Sequence, residues 1–461
     1  MAEQMKQNKA GEMTAKQAIP VGYKQTEVGV IPEDWDVKRI SDIADVFSGG
    51  TPNRENPKYW DGNVPWITTT LIDGKDIIEA NEFITEAGVV GSSVKWCRPG
   101  AILMAMYGQG KTRGKVAILS FNATINQACA AIELKDLTSS VFVLHMLTHM
   151  YKIIRELSNA GGQENLSGFI IKNIRVPYPP KQERIAIANS LSDTDALISG
   201  LEQLIAKKQA IKSATMQQLL TGRTRLPQFA LRHDGTPKGY KSSELGQIPE
   251  DWEVVCFDQL KDKKDNWAIT GGPFGSNLKA SDYTENGVRV IQLQNIGDGI
   301  FKNDDFVYTS YKKANEIISC NIYPDEIILS KMGDPVARAC LIPHFHSRYV
   351  MCSDGIRLKV DNQSYSEKFV FYFLNYRLFR NQALDASTGS TRKRIGLSEL
   401  RELLLFAPTK EEQTAIATIL SDMDSELTAL EQKLTKACDV KQGMMQQLLT
   451  GRIRLPLSQE A

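Results

Sequence analysis

Along two stretches of this chain the apolar residues step by four and three. In residues 179 to 227 they are Ile187, Leu191, Ile198, Leu201, Ile205 and Leu219; in residues 408 to 456 they are Ile416, Leu420, Met423, Leu427, Leu430, Leu434, Met444 and Leu448. That spacing is a coiled-coil seam, with polar residues on the remaining faces. No proline lies between Pro180 and Pro227, so the first helix can run from about Gln182 to Leu220, roughly 55 to 60 Å at 1.5 Å per residue. Gly222 and Gly451 stand where a helix stop belongs, with Pro227 and Pro456 following. A helix with one apolar seam cannot bury it alone, which predicts that the two pack on each other.

The two stretches are copies. Shifted by 229 positions they align without a gap, and 26 of 49 residues are identical. A second pair, GYKQTEVGVIPEDWDV at 22 to 37 and GYKSSELGQIPEDWEV at 239 to 254, recurs at an offset of 217. Each such segment opens a half and each long helix closes one, so the chain is an internal duplication. Trp35 and Trp252 each end an Ile-Pro-Glu-Asp-Trp run and are expected to anchor the opening segments against the helical frame.

Two inserts, about 38 to 178 and 255 to 407, lie between the repeated parts and have diverged; the second is longer by 12 residues. In both, apolar and β-branched runs predict strands: VPWITTT, GAILMAMYG, KVAIL and ACAAIELK in one, VRVIQLQNIG, DEIILSKMG, ARACLI and DGIRLKV in the other. One helix follows in each, SSVFVLHMLTHMYKIIRELS and SYSEKFVFYFLNYRLFRNQAL, then a Gly-containing loop and a short segment entering the long helix. Each insert is thus a mixed α/β globule of domain size. The chain divides into a polar, mobile extension (1–21), a first globular domain (22–178), a long helix (179–227), a linker (228–238), a second globular domain (239–407), a second long helix (408–456) and a tail (457–461).

With 461 residues and 42% hydrophobic content, two or three cores can form. No run of about 18 apolar residues marks a membrane span, and the polar start has no secretory signal region. Seven singly scattered cysteines fit a reducing cytoplasm rather than a disulfide framework. The net charge is only +1, so a nucleic-acid surface would have to come from local clustering.

Taken together, the paired IPEDW segments, the PPKQERIAIANSLSDTDALI and MQQLLTGRTRLP blocks and the divergent inserts resemble the specificity (S) subunits of type I restriction-modification systems, over nearly the whole span from Gly22 to Pro456. The resemblance implies an α/β (α+β) architecture: two similar target recognition domains joined by two long antiparallel coiled-coil helices with pseudo-two-fold symmetry. It implies a non-catalytic subunit whose domains each read half of a bipartite DNA site. The repeats would dock two adenine-N6 methyltransferase subunits, and a nuclease-translocase subunit would complete the restriction enzyme. S-adenosylmethionine, magnesium and ATP would then sit on the partner subunits, with no cofactor on this chain. Half-sites near one helical turn apart, about 34 Å, suit a stiff connector of this order, and unlike inserts predict an asymmetric target. Two other readings are a coiled-coil scaffold whose inserts bind proteins, and the specificity subunit of a different bipartite-site restriction system.

Candidate DNA contacts fall in loops, the clearest (107–115) between two predicted strands and others after the insert helices, where cations for phosphates and amides or guanidinium groups for base edges occur together. In the first insert they are Ser48, Gly49, Gly50 and Thr51; Tyr107, Gln109, Lys111, Thr112, Arg113 and Lys115; and Gln163 with Asn165. In the second they are Phe274, Ser276, Asn277 and Lys279; Lys331; and Ser390, Thr391, Arg392, Lys393 and Arg394, the densest positive run in the chain.

Catalytic lookalikes are weak. AMYGQGKT (105–112) approaches a phosphate-binding loop, but such a loop needs a helix starting at its Lys-Thr, and RGKVAIL follows as a hairpin return. VPYPP only echoes the motif of amino-methyltransferases, since Tyr178 occupies the place of the residue whose carbonyl oxygen would accept the base amino group. His145 and His149 are spaced i, i+4 without the following Glu of a zinc protease, and Tyr372 and Tyr376 take their places in the second insert, as an aromatic packing face would have it. Cys340, His344, His346 and Cys352 lack paired knuckles for zinc. On the long helices Lys207, Lys208, Lys212, Glu202 and Glu431 read as the solvated face.

Overall fold

The strands that read as unbroken apolar runs do so because the sheet they build is covered on both faces. The computed structural model describes residues 19–108, 110–159, 165–390 and 392–456; most of the 1–21 extension and the 457–461 tail lie outside them. Two units arise, Met1–Glu202 with Gln432–Ala461, and Gln203–Glu431.

In the first unit the opening segment forms a hairpin, β1 (Tyr23–Thr26) with β2 (Gly29–Pro32), followed by β3 (Asp36–Arg39) and a helical turn, α1 (Ile40–Ile43). The insert then contributes β4 (Ala44–Ser48), β5 (Trp60–Ile67), β6 (Glu82–Ile84), α2 (Glu86–Val90), β7 (Trp96–Cys97), β8 (Ile102–Ala105), β9 (Val116–Ile118), β10 (Ala123–Ile125) and β11 (Cys129–Leu134). Its central sheet runs β4-β11-β8-β9, and a second sheet runs β6-β5-β10-β7. Alternate residues of β8 explain the run Ile-Leu-Met-Ala: Ile102 and Met104 join a core under the helices, while Leu103 and Ala105 join a core shared with Ile67 and Ile125 of the second sheet.

Where one insert helix is expected, two form: α3 (Ser140–His149) and α4 (Tyr151–Asn159). No Pro or Gly marks the break at Met150. α3 is buried around much of its circumference, whereas α4 exposes Ile153 and Leu157 and buries Ile154, so the chain turns as it leaves the core for the surface. The short α5 (Gly168–Asn173), capped by the Ser167 hydroxyl, leads to β12 (Arg175–Tyr178), which pairs with β3. Long helix α6 spans Lys181–Leu220, within a residue of the expected start.

The second unit repeats the plan after α7 (Pro227–Ala230). β13 (Tyr240–Ser243), β14 (Gly246–Pro249) and β15 (Glu253–Cys256) open it. The insert supplies β16 (Ile269–Gly271), β17 (Tyr283–Thr284), β18 (Val288–Ile291), β19 (Val307–Thr309), α8 (Tyr311–Glu316), β20 (Asn321–Ile322), β21 (Ile327–Ser330), β22 (Ala339–Leu341), β23 (Tyr349–Met351) and β24 (Gly355–Leu358). The central sheet β16-β24-β21-β22 matches that of the first unit strand for strand; the outer sheet β17-β19-β18-β23-β20 has one strand more. The insert helix again divides, into α9 (Glu367–Leu374) and α10 (Arg377–Asp385). Here the cause is visible: Asn375 ends α9 and its side chain bonds both the N–H and the C=O of Ala339 on β22. α11 (Leu397–Glu402) and β25 (Leu404–Ala407), paired with β15, precede the long helix α12 (Lys410–Leu448).

Halves of both long helices meet inside each unit, running antiparallel. In the second unit Lys208 faces Glu426 at 2.7 Å and Lys212 faces Asp424; in the first, Lys441 lies 2.5 Å from Asp195. Ile187, Leu191, Leu219, Ile416, Leu420 and Leu448 of the seam are buried. Lys208 and Lys212 therefore bridge the helices and depart from the expectation of a merely solvated face.

The repeated blocks cross over to complete each unit. Trp35 is fully buried, and its indole N–H donates to Glu183 at 3.0 Å. Arg454, from the second repeat, forks onto the same Glu183 (2.8 and 2.6 Å) and onto Asp34 (both 2.8 Å). In the second unit Trp252 donates to Glu412 at 3.0 Å, and Arg225, from the first repeat, forks onto Glu412 (both 2.7 Å) and Asp251 (2.8 and 3.1 Å). Glu183 and Glu412 are each 1% exposed, so each carboxylate depends on these donors. Gly222 and Gly451, at φ +68° and +69°, stop the helices beside Pro249 and Pro32, and a Cβ on either would lie 2.5 Å from that proline. The anchoring role expected of Trp35 and Trp252 is thus what the fold gives them.

Candidate nucleic-acid interface

Several of the loops singled out in the sequence converge at one edge of the central sheet in each unit. In the first, β4 ends at exposed Ser48, and the chain turns at Gly49 and Gly50 with no room for a side chain. A Cβ on Gly49 would lie 1.8 Å from the Ile125 carbonyl oxygen, and one on Gly50 2.5 Å from Ser93 Oγ. Glycine is the one residue that fits such an approach. The Gly50 N–H donates to Ile125 O at 3.0 Å, and its carbonyl accepts from the Trp66 indole at 3.1 Å. Thr51 is half-buried just beyond.

The β8–β9 hairpin loop lies at the same edge. Met106 N–H donates to Ala128 O at 2.8 Å, and Leu166 N–H donates to Met106 O at 3.0 Å, which brings the connector 126–128 and exposed Asn165 beside it. Tyr107 and Lys111 are exposed, Thr112 and Lys115 half-buried, and Arg113 differs from its neighbours in being only 5% exposed. Strand β9 follows Thr112 and no helix starts there, so the amides do not form a phosphate cradle. Gln109 and Gln163 lie outside the described residues.

The second unit holds equivalent loops with equivalent bonds. A Cβ on Gly272 would meet Cys352 O at 1.6 Å, the counterpart of Gly49 against Ile125. Lys331 N–H donates to Asp354 O at 2.6 Å and Ile395 N–H to Lys331 O at 3.0 Å, repeating the Met106–Ala128 and Leu166–Met106 bonds. Gly333 N–H also donates to Lys393 O at 3.1 Å, so the hairpin at 331–334 and the basic loop at 388–394 are tied together. Thr388 and Arg394 close that loop by paired backbone bonds of 2.8 and 2.9 Å. Ser390, Arg392, Lys393 and Arg394 are exposed, and Arg394 pairs with Asp354. Phe274 is 81% exposed on the loop after β16, with Ser276, Asn277 and Lys279 exposed behind it. Thr391 lies outside the described residues.

Some residues of this edge went unread in the sequence. The connectors Asn126–Ala128 and Cys352–Asp354 stand between the other loops, with Gln127 and Ser353 exposed. They are three-residue links inside apolar stretches and gave no compositional signal. Tyr151 and Arg155, one turn apart on α4, hold the first hairpin from behind: the Tyr151 hydroxyl donates to Lys111 O at 2.6 Å and Arg155 donates to Gly110 O. Their i, i+4 spacing, which puts both on one face of a helix, was the available clue.

Each edge therefore presents hydroxyl, amide and cationic groups on a backbone frame that is the same in both units, while the side chains on it differ. Such a set can contact phosphates and base edges. Among the described residues no helix is long and apolar enough to cross a membrane.

Known proteins share this organisation. The putative type I restriction enzyme MjaX specificity subunit of Methanocaldococcus jannaschii is 28% identical over 447 residues, 94% of this chain and 97% of that protein. The MjaVIII specificity subunit of the same organism is 25% identical over 443 residues, 92% of this chain and 94% of the relative. Among solved structures, the S subunit of the type I restriction-modification system from M. genitalium superposes with a TM-score of 0.56 at 15% identity, covering 90% of this chain and 96% of that one. The family model described as the type I restriction modification DNA specificity domain matches twice, at residues 32–213 and 249–437, and on that double match, repeated along a duplicated fold, the chain belongs to the family of type I restriction-modification specificity subunits.

Proposed function

We propose that the two loop edges each read one half of an asymmetric, bipartite DNA site. The repeated frame docks two adenine-N6 methyltransferase subunits, and a nuclease-translocase subunit joins them in the restriction enzyme. As a specificity subunit the chain is a reader of DNA sequence and a non-catalytic part of its complex. S-adenosylmethionine, magnesium and ATP belong to the partner subunits in this reading, and the complex works in the cytoplasm.

One observation carries the proposal. Two edges share their backbone bonds, Met106–Ala128 with Leu166–Met106 and Lys331–Asp354 with Ile395–Lys331, yet carry unlike side chains. A common frame with different reading groups is what two different half-sites require. The repeated opening segments and helix ends offer two like surfaces, which suits two identical partners.

Mapping modified adenines across the genome with and without this chain tests the reading. Loss of one motif, with two unlike halves at a fixed separation, is the expected result. Gel shifts of the chain with its methyltransferase partner on duplexes carrying that motif should show sequence-dependent retention. Retention indifferent to sequence would favour a protein-binding scaffold instead.

A further inference from the structure

Each insert is fastened to the long helices at several polar points, among them Ser139 and Asp136 to Arg184 in the first unit and Ser366 to Gln413 in the second, and one further point can be compared between the units. In the second unit Tyr372, on α9 and 5% exposed, donates its hydroxyl to Asp424 Oδ2 at 2.7 Å. Asp424 belongs to α12, and its other oxygen is held by Lys212 of α6. The Lys212 ammonium also lies 5.7 Å from the centre of the Tyr372 ring. One carboxylate thus joins the insert's first helix to both long helices.

In the first unit the same three positions carry His145 on α3, Asp195 on α6 and Lys441 on α12. Asp195 and Asp424 are related by the repeat offset, as are Lys212 and Lys441. Lys441 reaches Asp195 at 2.5 Å. His145 Nε2 stops 3.9 Å from Asp195 Oδ2, beyond hydrogen-bonding range, and has no hydrogen-bond partner among the described residues although the residue is 5% exposed. The frame residues are kept and the insert residue is changed: the junction is closed in one unit and open in the other.

We infer that Tyr372 and Asp424 are positioning residues for DNA reading, which hold the second insert in one orientation on its helices and so narrow the range of half-site separations the protein accepts. This rests on the bipartite reading proposed above. The Tyr372–Asp424 bond adds a restraint on swivelling to those of Ser366 on Gln413 and Asn362 on Lys410, because a hydrogen bond to a carboxylate is directional. The first insert keeps its own ties, Ser139 and Asp136 on Arg184, but lacks a bond at this point, and is the more tolerant of the two.

The test uses the full chain with its methyltransferase subunit. Binding is measured to a duplex carrying the mapped motif, and to duplexes whose spacer is one base pair longer or shorter. Tyr372→Phe removes one hydroxyl and keeps the ring; Lys212→Met cuts the tie at its far end. Both should lower the preference for the correct spacer, roughly tenfold if the full hydrogen bond to the carboxylate acts in discrimination, while affinity for the correct spacer changes little. A thermal melt reports any loss of folding separately, and a merely structural role would shift the melt without moving the spacer ratio. A wild-type protein that selects its spacer, with well-folded variants that keep the same ratio, overturns the positioning role alone. A wild-type protein indifferent to the spacer overturns the bipartite reading, and the positioning role with it.

Discussion

The first and second units differ least where the chain is closed and most where it is open to a ligand. Trp35, Glu183, Asp34 and Arg454 in one reproduce Trp252, Glu412, Asp251 and Arg225 in the other, with the indole bond at 3.0 Å in both. A few turns away His145 stands where Tyr372 does, and at the loop edges almost no side chain is shared. The difference teaches what duplication preserved. A buried carboxylate whose donors come from the other repeat tolerates no drift, because any change strands a charge. A loop whose backbone alone is held can change its side chains freely.

Breaking that closure should have the largest effect. Arg225→Ala leaves Glu412, 1% exposed, with the Trp252 indole as its remaining side-chain donor, and should cost about 3 to 5 kcal/mol in a denaturant titration followed by tryptophan fluorescence. Arg454→Ala should cost less, since Arg454 is 40% exposed against 7% for Arg225 and water can take its place. Equal losses would show that the two closures share a stability that their burial does not predict.

The loop edges should respond in the opposite way, in binding and not in folding. Arg392→Ala with Lys393→Ala removes two exposed cations from a loop whose backbone bonds remain, while Arg394 keeps its pairing with Asp354. Affinity should fall, and the slope of log K against log salt should flatten by about two, at roughly 0.9 per phosphate contact. Lys111→Ala in the first unit should flatten it by about one. Melting curves should not move in either case. An unchanged slope would take the basic loop out of the interface.

Much of the frame was legible because duplication writes it twice. The helix ends at Leu220 and Leu448, four strands of each insert (β5, β8, β9 and β11; β18, β21, β22 and β24) and the anchoring Trp35 and Trp252 follow from periodicity and repetition, while the shorter strands such as β7, β10, β17 and β20 gave no run long enough to read. What the sequence could not show is pairing across the duplication: nothing local indicates that Arg225 serves the second unit and Arg454 the first. The break at Met150 was also invisible, since it has no Pro or Gly and arises from how α3 and α4 are buried. Burial of Arg113 in a loop where Lys111 is exposed and Thr112 and Lys115 are half-buried was hidden for the same reason. The stop glycines, by contrast, could be read, and their strain sharpens the comparison. Gly222→Ala and Gly451→Ala each force a left-handed residue against a proline 2.5 Å away and should cost about 1 to 3 kcal/mol, alike in both units. A large difference between them would mean that the two closures relax differently.

The smallest expected effect separates the units by the sign of their response to pH. Burial among apolar neighbours, with Lys441 close by, holds the His145 imidazole down to about 4 despite the opposing pull of Asp195. Below its unfolded pKa near 6.5 the unfolded chain takes up a proton that the folded first unit refuses, so stability there is full above about pH 6.5 and falls as the pH drops toward 4. In the second unit burial, with Asp325 and Glu326 nearby, pushes the Glu367 carboxyl up to about 7. That folded unit holds a proton which the unfolded chain releases near 4.5, so its contribution is full at low pH and is lost as the pH rises through 7. Between about pH 4.5 and 6.5 the first unit should therefore gain stability as the second loses it, each by something on the order of 1 to 2 kcal/mol once solvent screening is allowed for. Amide protection of α3 and α9, corrected for intrinsic exchange and compared at pH 5 and pH 6.5, would register the two trends, and Glu367→Gln should flatten the one at α9 while leaving that at α3. Protection that moves in the same direction in both helices would mean that the titration is shared through the long helices and does not belong to either unit.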